Sequence, residues 1–451
     1  MPGPTVFTEQ ELKTIREGIN GLRQPGAYVE GKWSVSSLNR RQDVVGGHFA
    51  SKVILRDITL RTTEQMGGVN RSVDDRCAFL AEIVKTGVPE VMPASFGRNH
   101  TVEEMRREVA TVKRINPECQ VIYGGEAHTR DSIELAKSAG VDGVQCFVAP
   151  VELNPTRYNK IYAMAWKGDN WRKLKLPRTL DEQISHVISM LRMGQELGVK
   201  VSTGINMVPY ATDDYIKQYV EAIDAAGGYE ILLFDSPSGL GPEAWYYVVD
   251  LIRRHAPHCR VAVHAHNMFD LRTACSLAAA RAGAEVIELS VNGYCSASGQ
   301  ADLAAVAAAL TALYGVETGI KLERLTDLAR KGEEFTGYPL AWNHAVTGRD
   351  VFNWGGTETI NQERKVDSLL HWCLEPSVVG NQRRFDVTMT IGPYTMWDKL
   401  DALGIEVEHD QVESIINQCR KRVREQGTPV TDAQIKAIAE AVKSATAGTV
   451  R

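Results

Sequence analysis

From residue 52 onward, short apolar runs alternate with amphipathic stretches, and this alternation restricts the fold more than any other feature. The runs are "KVILRD" (52–57), "PEVMPAS" (89–95), "CQVIYGG" (119–125), "DGVQCFVAP" (142–150), "VKVSTGIN" (199–206), "YEILLFDS" (229–236), "CRVAVHAHN" (259–267) and "AEVIELSVN" (284–292). Between them lie helical patterns such as "SVDDRCAFLAEIVKTG" and "TRDSIELAKSAG", each closing on a glycine suited to a helix C-terminus. Strands that alternate with helices form a parallel sheet covered on both faces. Eight of them match an α/β fold of the (β/α)8 TIM-barrel type, predicted here over 51–315. An open doubly wound sheet is the weaker alternative, because no glycine-rich dinucleotide turn follows the first run.

Residues 1–50 read as a polar N-terminal extension with one short helix near 8–22. Residues 316–451 change character, with helices set among loops such as "YPLAWNHAVTGRDVFNWGG". They are predicted to form an appended, mainly helical C-terminal region. A formal charge of −5 argues against nucleic acid as a partner, since phosphate binding wants a basic face. The eight cysteines are scattered without a CxxC pair, which suits reduced thiols and a cytoplasmic setting. The first residues lack the basic and apolar blocks of a signal peptide. No apolar run approaches the ~18 residues of a membrane span.

In a barrel, reactive groups collect at the C-terminal ends of the strands. Those ends offer Arg56, Asp57 and Arg61 after the first strand, and Glu126, His128 and Arg130 after the third. Asn206 follows the fifth and Asp235 and Ser236 end the sixth. His264 and His266 lie on the seventh, and Asn292, Cys295 and Gln300 follow the eighth. The pair His264/His266 is the sharpest signal, because alternate strand residues share a face and can offer two imidazoles to one divalent ion. The same spacing also serves two histidines bonded within the rim. A planar guanidinium at a strand end suits either a substrate carboxylate or a rim ion pair. Cys295 reads as a packed thiol. The aromatic and basic stretch "AMAWKGDNWRKLKLPR" (163–178) is either a cover for the barrel mouth or a solvated loop.

The segments "DITLRTTEQMGG" and "VHAHNMFDLRTACSLAAARAGAEVIELSVNGYCSASGQADL" resemble the first-strand and seventh-to-eighth-strand signatures of a known superfamily. It is that of the isopropylmalate synthases, homocitrate synthases and HMG-CoA lyases, the DRE-TIM metallolyases. "VQCFVAPVELNPTRYN" is similar to the fourth-strand segment of the synthases, and residues 402–442 more faintly resemble their subdomain. The resemblance implies carbon–carbon bond formation or cleavage of Claisen or aldol type on a 2-oxo acid or related small carboxylate. It implies an acyltransferase or a carbon–carbon lyase with a divalent metal (Zn, Mn or Mg), an acyl-CoA co-substrate and a homodimer. Position by position it carries over Arg61 as the oxyanion-stabilising arginine and Ser236 as the hydroxyl for the acid's carboxylate; Glu64, Gln65 and His128 are further catalytic candidates of this chain, and Arg56, Arg130, Asn206 and Asn292 its candidates for substrate contacts. The resemblance gives the metal to His264 and His266, and Asp57 and Gln300 are this chain's candidates to replace the family's other two ligands.

The chain also departs from that pattern. The acid expected directly after Arg61 is Thr62, the asparagine expected after the eighth strand is Gln300, and the glutamate expected after the fifth is replaced by Asn206 and Met207. Asp57 is a substitute acid or simply a partner of Arg56, and Glu64 is another candidate. The histidine of the synthases' subdomain has no clean counterpart in the loop holding His344, Asp350 and Asn353. Two other readings therefore stay open: a metal-independent decarboxylase, hydrolase or isomerase on the same barrel, and a non-catalytic binding relative.

Overall fold

The computed structural model of the chain describes residues 7–96, 100–125, 129–148, 179–353 and 363–449. Eight parallel strands are present at the eight apolar runs. They are β1 (Ile54–Asp57), β2 (Glu90–Val91), β3 (Gln120–Gly125), β4 (Gly143–Val148), β5 (Lys200–Ile205), β6 (Glu230–Asp235), β7 (Arg260–Ala265) and β8 (Val286–Leu289). Each pairs with the next, and β8 pairs back onto β1 with Glu288 opposite Arg56, so the sheet closes into the TIM barrel expected from the sequence. Every residue of β6 and β8 is buried, which is why these runs are mostly apolar and carry charge only at Glu230, Asp235 and Glu288.

Helices occupy the connections: α1 (Val73–Lys85), α2 (Val102–Ile115), α3 (Arg130–Ala139), α4 (Leu180–Leu197), α5 (Asp213–Ala225), α6 (Pro242–His255), α7 (Arg272–Arg281) and α8 (Leu303–Ala309). Their starts are written in the sequence. Ser72, Thr101, Thr129, Thr179 and Thr212 each accept a backbone N–H of the following first turn through the side-chain oxygen. Gly140 and Gly198 end α3 and α4 with φ of 82° and 72°, a conformation other residues adopt only under strain.

The barrel interior is charged. Arg56 is fully buried and donates all five N–H groups: two to Glu90, two to Glu230 and one to Glu288, at 2.6–3.0 Å. Arg260 reaches Glu90 at 2.8 Å and Glu230 at 2.5 Å. Ser202 and Gln145 complete the carboxylates from β5 and β4. Above this layer, Phe147 and Phe234 meet edge to face at 4.4 Å over Gly204. A Cβ at that glycine would lie 2.6 Å from Phe147 and 2.9 Å from Phe234. Gly204→Ala is therefore expected to cost about 1–3 kcal/mol through overpacking. Urea denaturation checks this, and an unchanged midpoint would show that the rings give way freely.

The barrel belongs to a compact unit of Arg40–Leu340, which includes the helix Leu325–Thr336 packed beside α1. A second unit joins the two chain ends, Met1–Asn39 with Ala341–Arg451. There the helix Glu9–Leu22 anchors through Arg16 to the Val366 carbonyl, and Arg23 pairs with Asp367 at 2.6 Å. Its core gathers Val387, Ile391, Met396, Leu400, Ile415 and Ile435 beneath the last three helices. Among the described residues no helix is long and apolar enough to cross a membrane.

Candidate active site

Strand alternation sorts the first-strand candidates. Arg56 points into the barrel, so Asp57 points away from it. Arg56 has spent every donor on Glu90, Glu230 and Glu288, which corrects the expectation that it clamps a substrate. Asp57 does not turn toward the histidines either. Its carboxylate accepts the Thr59 N–H at 3.0 Å and the Thr59 hydroxyl at 2.7 Å, fixing the bend that leaves β1. Burial pushes its carboxyl up to about 7, against the opposing bonds from Thr59.

That bend leads into the short helix Thr59–Thr63, which carries Arg61 and Thr62. Arg61 is half-buried and donates to Ser95 Oγ and Gln65 Oε1, each at 3.2 Å. Thr62 is buried with its hydroxyl 3.0 Å from the Ile58 carbonyl, 3.1 Å from that of Thr59 and 2.8 Å from that of Tyr294. Glu64 accepts from Arg76 at 2.6 Å and sits 2.7 Å from His100 Nε2. Arg76 also holds Glu108 and the Pro93 carbonyl. Glu64, Arg76 and His100 line a cavity of about 580 Å³ with Asn70, Arg71 and Glu104. Sequence reasoning missed Arg76 and His100, because nothing in a helix arginine or a loop histidine marks a pairing across the chain.

His264 and His266 lie at the end of β7 with ring centroids 4.7 Å apart. His264 Nδ1 is 2.8 Å from Glu288 Oε2, whose other oxygen takes Arg56 and Gln145. His266 Nδ1 is 3.0 Å from the Asp235 carbonyl, which accepts its N–H and leaves Nε2 as the lone-pair nitrogen. Burial, then the neighbouring charges of His264 and Arg61, pull His266 down to about 4, so its ring is neutral. Asp235 itself is held by the N–H groups of Gly239 and Leu240 at 2.7 and 2.8 Å. Ser236 donates to Asn206 Oδ1 at 3.1 Å beside them.

After β8, Gln300 is buried, and its backbone bridges to that of His266. Neither its amide oxygen nor its amide nitrogen has a hydrogen-bond partner. Asn292 stands in a left-handed turn (φ 59°) and donates to Tyr294 and the Ala329 carbonyl, so it braces this loop instead of contacting substrate. Cys295 is buried, and burial pushes its thiol up, as fits a packed residue. Arg130 is corrected as well: it lies on exposed α3, tied to Glu134 at 2.8 Å and to Glu196 at 2.6 Å. Glu126, His128 and the stretch 163–178 lie outside the described residues, and His344, Asp350 and Asn353 belong to the second unit.

The implied metal meets only half of a site. The two imidazoles are each oriented through Nδ1, as metal-bound histidines are. Thr62, however, has its oxygen wedged among three backbone carbonyls, and Gln300 brings a neutral amide where a charged set is wanted. Among the described residues no group of three or more His, Cys, Asp and Glu converges as a metal cluster. A hard dication takes charged oxygens, so these side chains do not fit the expected ion.

A family model described as HMGL-like matches residues 52–331. The chain is 27% identical over 400 residues to a 2-isopropylmalate synthase of Methanocaldococcus jannaschii, covering 88% of this chain and 72% of that one. It is 25% identical over 392 residues to a 2-isopropylmalate synthase of Sulfolobus acidocaldarius, covering 86% and 95%. The solved HMG-CoA lyase of Bacillus subtilis superposes with a TM-score of 0.53 at 19% identity, covering 65% of this chain and 96% of that one, a likeness of fold alone.

Proposed function

We propose that this chain, which belongs to the HMGL-like family, forms or breaks a carbon–carbon bond beside the carboxylate of a 2-oxo or related acid. The observation that carries the reading is the convergence of Arg61 with the His264/His266 pair at the strand ends, within the stretch the family covers. In the forward direction one partner, a thioester such as an acyl-CoA, loses an α-proton to become an enolate. The enolate carbon attacks the 2-oxo carbon, whose oxygen becomes an alkoxide. Cleavage is the same sequence reversed; in the condensing direction the alkoxide takes up a proton and water then hydrolyses the thioester, releasing the thiol and a carboxylate.

Each group has a part that its surroundings support. The Arg61 guanidinium steadies the developing oxyanion, which is where fixed donors lower a barrier most. His266, neutral and with Nε2 carrying the lone pair, offers a hydrogen-bond acceptor at the mouth, although a group pulled down to about 4 is a weak base for the enolisation step. His264, fixed through Glu288, holds its ring beside it. Ser236 and Asn206 offer a hydroxyl and an amide for the acid's carboxylate. The metal-independent decarboxylase, hydrolase or isomerase keeps standing as the second reading, favoured by the donor set described above.

The test is direct. The purified chain is incubated with acetyl-CoA and a panel of 2-oxo acids, and thiol release and new hydroxy acids are followed by mass spectrometry. A condensed product from at least one acid is expected. Thiol release unaccompanied by a new carbon skeleton, or no turnover with any pair in either direction, would remove the reading.

A further inference from the structure

Arginines inside the barrel unit spend their forks on the protein. Arg76 holds Glu64, Glu108 and the Pro93 carbonyl, and Arg260 holds Glu90 and Glu230. Arg272, the half-buried first residue of α7, does not. Its backbone N–H donates to Asn267 Oδ1 at 3.3 Å, but among the described residues no hydrogen bond or ion pair reaches its guanidinium. Asp302 and Asp270 act on it through their charge alone. Asp302 Oδ2 accepts the Ala305 N–H instead, and Asp270 Oδ1 the Asn267 amide. Burial outweighs both charges and pulls the guanidinium below its ordinary value.

The side chain is nevertheless held in place. It lies against the β8–α8 loop, where a Cβ on Gly293 would fall 2.5 Å from Nη1 and one on Gly299 3.0 Å from it. Both glycines have positive φ, 68° and 81°, and the Gln300 N–H closes the loop on the Gly293 carbonyl at 3.1 Å. The same Cβ position on Gly293 lies 2.8 Å from the Gln300 carbonyl, and Gln300 pairs through its backbone with His266. The guanidinium therefore stands on the loop that adjoins β7 at the C-terminal face of the barrel, where reactive groups gather.

A half-buried cation that bonds to nothing has given up hydration without compensation, and its planar fork matches a carboxylate with two parallel bonds. We propose that Arg272 binds a carboxylate of the acid substrate, clamping it from the β8 side of the histidine pair. This rests on the reading of a small acid as substrate and specifies a residue that holds it. Ser236 and Asn206 lie on the β5–β6 side, so an acid with two carboxylates has a group for each.

Isothermal titration calorimetry of the full chain tests this with pyruvate, which has one carboxylate, and 2-oxoglutarate, which has two. Arg272→Gln is expected to weaken binding of at least one acid about 10- to 100-fold, with Arg272→Lys in between and the thermal midpoint nearly unchanged. Loss for both acids assigns the fork to the carboxylate beside the oxo group, and loss for 2-oxoglutarate alone assigns it to the distal one. Where an acid is turned over with acetyl-CoA, its KM should rise about 10-fold or more while kcat changes less than about 3-fold. Arg272→Gln binding both acids like the wild type overturns the proposal, as does a loss of affinity for acetyl-CoA alone. If Arg272→Gln fails to fold, Arg272→Lys decides by the same titrations. A wild type that binds neither acid removes the reading of an acid substrate and this inference with it. Arginine-dependent binding with no product from any acyl-CoA removes the reaction and keeps the clamp.

Discussion

Arg56→Ala is expected to cost about 3–5 kcal/mol of stability, enough to leave little folded protein. The substitution strips the cation from Glu90, Glu230 and Glu288, three carboxylates at 0–3% side-chain exposure. Arg260 alone would then face two of them, and Glu288 would keep only Gln145 and His264. Arg56→Lys should recover only part of the loss, because one ammonium cannot replace a fork that makes five bonds. Urea denaturation followed by circular dichroism reads both, and an alanine variant as stable as the wild type would disprove the role.

The same cluster fixes how stability responds to acid. Burial by itself would raise Glu230, but the Arg56 and Arg260 charges outweigh it and hold the carboxyl at about 2, below its ordinary 4.5. A lowered folded value means stability that is present above pH 4.5 and lost as pH falls toward 2. The denaturation midpoint should therefore drop through that window.

Arg61→Ala should act on the reaction and not on the fold. Its guanidinium bonds to Ser95 and Gln65 are each 3.2 Å and partly exposed, so each contributes little to stability. Removing a fixed oxyanion donor typically costs about 10²–10³-fold in kcat. That loss is expected for whichever acid is turned over, with the thermal midpoint nearly unchanged. Arg61→Lys should restore some rate, since charge is kept and the fork is lost. A variant that keeps kcat/KM within a factor of about 3 would place the oxyanion elsewhere.

The barrel was legible because a strand covered on both faces must be apolar along its length, and eight such runs stood out with their caps between them. The chemistry at the strand ends was harder, since a single residue decides which face a side chain takes. Arg56 and Asp57 are adjacent, yet one enters the ionic core and the other fastens a bend. His264 and His266 were visible because their spacing matches the strand period. Glu288, which orients His264, reads in sequence as one acid within an apolar run, and its partner is known only once β8 closes on β1. Arg130 sits at the right distance after β3 but on the outer helix layer. Position along the chain does not separate a mouth residue from the first turn of the next helix.

The ionic core also bears on how the chain reaches its native state. Arg56 meets Glu230 across 174 residues and Glu288 across 232. Such contacts form late, because the loops they close must be ordered first. During synthesis Arg56 can meet Glu90, 34 residues on, early, while its bonds to Glu230 and Glu288 wait until the last third of the barrel has left the ribosome. A chain interrupted before β8 keeps an open sheet edge, and such an edge is a hazard for aggregation and a target for chaperones and proteases. Closure by the final strand thus acts as an all-or-none checkpoint on the length of the product.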